Sequence, residues 1–413
     1  MTNLEIIKSH INNLDLDIRK PNNGRWTTPG RCFDQKNVPE LIAFASECIV
    51  NFTKNTSTTF SGKDIENMDF YRNLYETYFG KPSVLDSANE SNKFIGQQLK
   101  LLTAAKVLSE DSNSRPYLYK VKSIEILEML SGSERTSFDF LRIYIEKLLD
   151  DSGILYAFDE YFHKEQHERL VAADYKKLRD NYVEYFIKNT PVEKPTEPKR
   201  MVNKLTNILA LHKGARGQEG GRPSKHIITF QDLMYRRENS QDANKSKSEP
   251  RRAYRERQSS VTTATSEKKS KDEVKEYHGK ISEYNGDVNA IEAHHILPKS
   301  DFPEFTHTRE NLIVLTPNQH RIDAHPMSDF GTVDPEFQLH YLKNKLESIK
   351  SSMNKNDEFY NFNFFIDMLR TLYSSEFEVI ESILEIKKYE WTYEEIKQFI
   401  EKKLNNYSTI QND

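Results

Sequence analysis

Ala293-His294-His295-Ile296, then Asn311-Leu312-Ile313-Val314-Leu315, then His320-Arg321: the reading of these three stretches decides the fold of the C-terminal part of the chain. An Asn follows sixteen residues after His295, and a further His nine residues after that Asn. The segment 288–294 suits a strand leading into His295, residues 312–315 a second strand, and 317–325 a helix after a turn. In such a unit two strands and a helix pinch a small site, and histidines projecting from strand and helix converge on one cation. His320 and His325 lie five apart, off the three- and four-residue spacings that share a helix face. His320 is therefore the better ligand of the two.

The 413 residues are enough for two or three domains. Hydrophobic residues make up 36% and charged residues 30%, which allows ordinary cores under well-solvated surfaces. No run of eighteen apolar residues occurs, so no membrane span is expected. Met1-Thr2-Asn3-Leu4-Glu5 lacks the basic start and apolar middle of a signal peptide. Cys32 and Cys48, the two cysteines of the chain, read most simply as reduced, buried thiols of a cytoplasmic protein. They lie too far from the histidines to build a zinc knuckle there.

The net charge of -4 does not by itself point to nucleic acid. Its distribution is more informative. Residues 193–260 hold sixteen Lys/Arg against eight Asp/Glu, whereas residues 326–413 hold ten against sixteen. A near-neutral total thus hides one basic and one acidic stretch. The simpler alternative is a solvated linker and a solvated helical face.

Residues 1–190 read mainly as helix. Asn37 is placed to cap a helix with Pro39 and Glu40 in its first turn, and Leu41, Ile42, Phe44, Ala45, Cys48 and Ile49 recur at helical spacing. A helix over 94–105, a strand at Val107-Leu108, a polar turn over 109–116 and a strand over 117–121 outline a winged helix. Lys93, Gln97, Gln98 and Lys100 would then face a major groove, since Gln and Lys read base edges or contact phosphates. The alternative is an all-helical scaffold with an incidental hairpin. Pro191, Pro195 and Pro198 mark a boundary. The Gly-rich basic run from Lys213 to Arg222 lacks the GKS/GKT ending of a nucleotide-binding loop. It suits either backbone approach to phosphates, with Arg216, Arg222, Lys225, Arg236 and Arg237 as contacts, or a plain flexible loop. Residues 227–230 are strand-like, and 239–277 read as a polar, mobile connector. Farther on, Asp334 before Pro335 and Thr392-Tyr393-Glu394-Glu395 are helix starts.

The order His-His, Asn, His resembles the HNH (ββα-metal) nuclease motif. Ala293-His294-His295-Ile296-Leu297-Pro298-Lys299-Ser300, Leu315-Thr316-Pro317-Asn318-Gln319-His320, Ala324-His325-Pro326 and Gly331-Thr332-Val333-Asp334 resemble HNH restriction endonucleases of bacterial type II systems. So do Phe33-Asp34-Gln35-Lys36, Gly221-Arg222-Pro223-Ser224 and Asp232-Leu233-Met234-Tyr235. The resemblance implies a role for each matching position. His295 is the general base that deprotonates water for attack on phosphorus. His294 and His320 are metal ligands, and His325 a third ligand or phosphate contact. Asn311 braces the loop that holds the base, and Lys299 contacts phosphate. Mg²⁺ or Mn²⁺ is the expected ion, with water and phosphate completing its shell. An imidazole with an ordinary pKa near ~6.5 takes a proton at neutral pH.

The expected fold is mainly α with small β elements (α+β): a helical N-terminal region with a winged helix, and a C-terminal ββα-metal module flanked by helices. The expected division is 1–190 for recognition, 191–277 for a basic DNA-contacting segment, 278–350 for the nuclease module and 351–413 for C-terminal helices. The function expected from the resemblance is sequence-specific cleavage of double-stranded DNA by a homodimer, with a cognate DNA methyltransferase as genetic partner. A modification-dependent defence nuclease and a non-catalytic winged-helix regulator are the competing readings.

Overall fold

The computed structural model describes residues 2–20, 29–33, 36–55, 58–79, 91–111, 113–167, 170–233, 262–320, 333–377 and 391–410. It is mainly helical with small sheets, as the sequence reading expects. The chain forms two compact units, Asn3–Thr262 and Thr263–Asp413. Among the described residues no helix is long and apolar enough to cross a membrane.

The first unit opens with α1 (Asn3–Asn12) and α2 (Pro39–Asn55). Leu41, Ile42, Phe44, Ala45, Cys48 and Ile49 of α2 are fully buried, the face that the 3.6-residue periodicity marks. Asn37 does not cap α2: its side-chain amide donates to the carbonyl of Cys32. Both cysteines are buried and unbridged, and burial pushes the Cys32 thiol up to about 12. There follow β1 (Thr59–Phe60), α3 (Gly62–Glu66), α4 (Asp69–Phe79), α5 (Ser91–Ala104), β2 (Leu108–Asp111) and β3 (Leu118–Val121). The three strands form one antiparallel sheet in the order β1-β3-β2, with Phe60 opposite Tyr119 and Leu108 opposite Val121. Strand β1 has no counterpart in the sequence reading, because two residues are too few to show a period of two. Ser61 and Asp64 start α3 as a reciprocal capping box.

Among the described residues there follow the helices α6 (Ile124–Leu130), α7 (Glu134–Asp151), α8 (Leu155–His167), α9 (Ala172–Asn189) and α10 (Thr196–Lys213). The three prolines at 191–198 do not end this unit. Pro198 sits in the first turn of α10, where a missing N–H is harmless, and Met201, Val202, Leu205, Ile208 and Leu209 then bury against the helices before it. Gly214 ends α10 in the left-handed region, φ 58°. Beyond it the Gly-rich run folds into a hairpin of β4 (Gln218–Glu219) and β5 (Arg222–Pro223). Residues 227–229 join no strand.

The second unit starts with α11 (Thr262–Tyr277), where the sequence reading expects a mobile connector; residues 239–261 of that expectation lie outside the described residues. Its few apolar side chains hide the helix from a periodicity argument. Among its described residues Val274 and Tyr277 alone reach the core, and polar contacts add to them: Glu273 with Arg309, and Ser270 with the carbonyl of His307. Strands β6 (Glu292–His295) and β7 (Leu312–Leu315) pair antiparallel, with His294 opposite Ile313 and His295 opposite Leu312. Every residue of β7 is buried, so the strand reads as a continuous apolar run without alternation. Helices α12 (Pro335–Lys355), α13 (Phe362–Leu372) and α14 (Tyr393–Ile410) follow. Asp334 caps α12 through the N–H groups of Glu336 and Phe337, and Thr392 with Glu395 starts α14 as the sequence suggests. Tyr341, Leu342, Leu346, Phe365, Leu369, Ile396 and Ile400 close the core over the strands.

That core holds a wholly buried ion pair. Lys345 Nζ lies 2.5 Å from Glu283 and 2.8 Å from the Tyr360 hydroxyl, while Glu283 also accepts from the Val314 N–H at 2.8 Å. Burial pushes the Glu283 carboxyl up, but Lys345 and His278 outweigh it and hold it down at about 2. Lys345→Met is expected to destabilise the second unit by about 3–5 kcal/mol, because it strands the carboxylate in the core. Adding Glu283→Gln is expected to recover much of the loss. Urea unfolding followed through Trp391, which packs on Phe377 in this unit, measures both; equal stability of the single variant and the native chain would refute the assignment.

Candidate active site

Strand β6 alternates its side chains across the sheet, so Glu292 and His294 project to one face and His295 to the other. On the first face the rings of His294 and His320 lie 4.9 Å apart, tilted by 55°. Metal–nitrogen bonds of about 2.0–2.1 Å set the centres of two imidazoles sharing an ion roughly 4–6 Å apart, so the two rings fit a common cation. His320 Nδ1 is hydrogen-bonded to the Glu292 carboxylate. A carboxylate only accepts, so Nδ1 carries the proton and the lone pair of His320 is on Nε2. A ligating imidazole needs that tautomer, and a carboxylate behind the ring is the usual means of fixing it. His294 is buried and His320 a quarter exposed, which leaves the pair accessible from one side. Among the described residues no third His, Cys, Asp or Glu joins them as a ready-made cage. The donor set suits an ion that takes its remaining oxygens from water and phosphate.

On the second face His295 is buried, with Nε2 3.1 Å from the carbonyl of Thr306. A carbonyl cannot donate, so Nε2 carries the proton and Nδ1 keeps its lone pair. Burial, then the charge of Lys271, outweigh the opposing pull of Glu267 and hold the ring down at about 4. The imidazole is therefore neutral at pH 7, the state in which it can accept a proton.

The loop that presents the Thr306 carbonyl is closed by Asn311. Its Oδ1 accepts from the Leu297 N–H at 2.7 Å, and its Nδ2 donates to the carbonyls of Leu297 and Phe305 at 3.1 and 3.2 Å. The Ile296 N–H donates to the Asn311 carbonyl at 2.9 Å. Asn311 is fully buried, so no water competes for these bonds. Gln319 performs a similar task at the start of the helical turn at 317–320. Its Oε1 accepts from Ser282 Oγ at 2.7 Å and the Thr316 N–H at 2.9 Å, and its Nε2 donates to Asn285 at 2.6 Å. This fixes the turn that carries His320.

The structure brings His294 and His320 together on one face of β6, and sets His295 on the other, against the loop that Asn311 closes. His325 lies outside the described residues, as do Arg236 and Arg237. Lys299 is 60% exposed and donates to Glu267 at 3.1 Å. In the first unit Arg216 does not hang in a flexible loop: it forms a two-pronged pair with Glu165 at 2.8 Å. Arg222 and Lys225 are exposed beside the β4-β5 hairpin. Lys93 stands on α5, and Lys100 is exposed there. Gln97 accepts from the Lys36 N–H, and Gln98 is fully buried and donates to the Lys36 carbonyl. Gln98 is thus turned away from any groove, and the two amides pin the segment that enters α2.

Sequence reasoning passed over Glu292, Thr306, Glu267 and Lys271. Glu292 had a legible signal, since it sits two residues before His294 on the same strand face. The other three carry none, because loop closure and the docking of α11 bring them in. No family model, curated protein or solved structure matches the chain.

Asn311→Asp keeps the shape but sets a carboxylate against two carbonyls. It is expected to destabilise the second unit by about 1–3 kcal/mol, the usual penalty for a spoiled buried hydrogen bond, and to raise amide hydrogen exchange at Leu297. Exchange at Leu297 unchanged from the native chain would show that the clip is not what holds the loop.

Proposed function

We propose that the protein is a metal-dependent endonuclease acting on double-stranded DNA, of the restriction type, with a ββα-metal module in its second unit. The observation that carries this reading is His295, neutral and with its lone pair on Nδ1, next along β6 to His294, which meets His320 on the other face, where Glu292 sets the tautomer of His320. The strand–strand–helix order of β6, β7 and the turn at 317–320 supports it, as does the resemblance of this segment to HNH nucleases.

His295 Nδ1 takes a proton from water, the water oxygen bonds to phosphorus, and the bond from phosphorus to the 3′ oxygen breaks. His294 and His320 would hold Mg²⁺ or Mn²⁺, and the chemistry such an ion would supply is electrostatic relief of charge developing on the phosphate. Thr306 keeps the base in one tautomer, Asn311 keeps the loop that carries Thr306 in place, and Glu292 keeps the lone pair of His320 on Nε2.

The first unit supplies the recognition part of the proposal. A helix, a strand, further helices including α5, and the β2-β3 hairpin follow one another in the order of a winged helix, with β1 beside β3. In that reading α5, with Lys100, faces DNA, and Arg222 and Lys225 add phosphate contacts. A two-fold symmetric target favours a homodimer with one site per strand, and a cognate methyltransferase would protect the host. The same topology is what favours the second reading, a DNA-binding regulator without cleavage.

Purified protein with Mg²⁺ or Mn²⁺ is expected to cut unmethylated DNA into discrete fragments. His295→Ala is expected to lose at least about 10²-fold in rate, the lower bound for a general base. Undiminished cutting by the variant would remove His295 from the mechanism, and a gel shift with no cleavage in any divalent ion would favour the regulator. Binding is expected to fall steeply with salt, with log K linear in log salt concentration; an affinity indifferent to salt would exclude phosphate contacts.

A further inference from the structure

Helix α11 sets a carboxylate directly in front of the base. Glu267 Oε1 lies 4.0 Å from His295 Nδ1. Both atoms are acceptors when the ring is neutral, and 4.0 Å exceeds a hydrogen bond, so the imidazole does not hold the carboxylate there. Two lysines do. Lys271 Nζ is 2.7 Å from Oε1, one helical turn along α11, and Lys299 Nζ is 3.1 Å from Oε2, from the loop that follows β6. Glu267 is nearly buried, whereas Lys271 is about three-tenths and Lys299 six-tenths exposed. The arrangement is a single anionic group, two oxygens wide, gathered by two cations over the lone pair of a neutral imidazole.

Resting on the nuclease reading, we propose that Lys271 and Lys299 form the receiving site for the DNA phosphodiester, and that Glu267 occupies this site as an internal anion until DNA replaces it. A phosphodiester is itself a singly charged group with two non-bridging oxygens, so it matches what the lysines hold. The region before Nδ1 is where attacking water and phosphorus must meet if His295 is the base. With Glu267 in place, the two lysines are neutralised and the approach to Nδ1 is filled. Withdrawing the carboxylate frees two charge-assisted donors for phosphate. The device links exposure of the base to the arrival of a polyanion, and it disfavours small neutral substrates. Lys271 enters the site with no warning from the sequence, because it stands in a polar run 24 residues before His295.

Binding separates this proposal from the catalytic reading, because it is measured without cleavage. The full-length chain carrying His295→Ala is titrated with a labelled random-sequence duplex in EDTA, at fixed salt. Adding Glu267→Gln, which removes the charge and keeps the shape, is expected to tighten binding by about fivefold or more, on the scale of one lost like-charge contact to phosphate. The gain is expected to vanish when Lys271→Ala and Lys299→Ala are also present. Should Glu267→Gln not fold, as judged by its circular dichroism melt, Lys299→Ala and Lys271→Ala with Glu267 intact still test the receiving site. Each is expected to weaken binding and to lower the salt slope by about one. Unchanged or weaker binding by Glu267→Gln, a gain that survives loss of both lysines, or lysine variants that bind like their parent would overturn the proposal. Cleavage by the unsubstituted protein alongside any of these results leaves the nuclease reading standing. Absence of both cleavage and binding refutes the two together.

Discussion

The amide of Asn311 is the constraint on which the candidate site depends. One planar group with one acceptor and two donors engages the N–H and carbonyl of Leu297 and the carbonyl of Phe305. It thereby draws both ends of the intervening loop to the start of β7. Only an amide does this, since a carboxylate has no donor and a hydroxyl is too short to span both loop ends. The carbonyl of Thr306, next to Phe305, then meets Nε2 of His295 and fixes where the lone pair of that ring lies. The orientation of a candidate catalytic nitrogen thus follows from a hydrogen bond two steps away.

Asn311 is the last of three consecutive buried polar residues, and its neighbours do comparable work. Arg309 is buried against Glu273 of α11 and lies over the ring of Phe359. Glu310 accepts from the N–H of Asn361 at the start of α13 at 2.6 Å. Three successive side chains therefore tie three different elements to the entry of β7. Buried polar groups of this kind favour one arrangement over others because any alternative leaves them unsatisfied. The Glu283–Lys345 pair does the same for the outer side of β7, where Glu283 takes both the N–H and, through its own N–H, the carbonyl of Val314. The small sheet carries few strands, so polar clips supply the order that a larger ladder would give.

Much of this was legible in the chain itself. The periodicity of α2, the apolar run of β7, the Asp334-Pro335 and Thr392-Glu395 helix starts and the β2-β3 hairpin can all be read locally, since each depends on residues a few positions apart. What escaped reading depends on distant partners. Helix α11 looks like a solvated connector until Arg309 and the His307 carbonyl are placed against it. The prolines before α10 look like a domain boundary, yet one of them only opens a helix whose apolar face belongs to the first unit. Arg216 looks available to phosphate, but Glu165, 51 residues away, already holds it.

For this protein, then, local sequence by itself determined the two strands β6 and β7 and which of their residues face the same way, because strand alternation translates short spacings into directions. Tertiary structure decided the rest. Which nitrogen of each ring keeps its lone pair was set by Thr306 and Glu292, and what stands before the base was set by Glu267 between Lys271 and Lys299. Tautomer and local charge are properties of contacts between segments far apart in the chain, and no local pattern of residues encodes them.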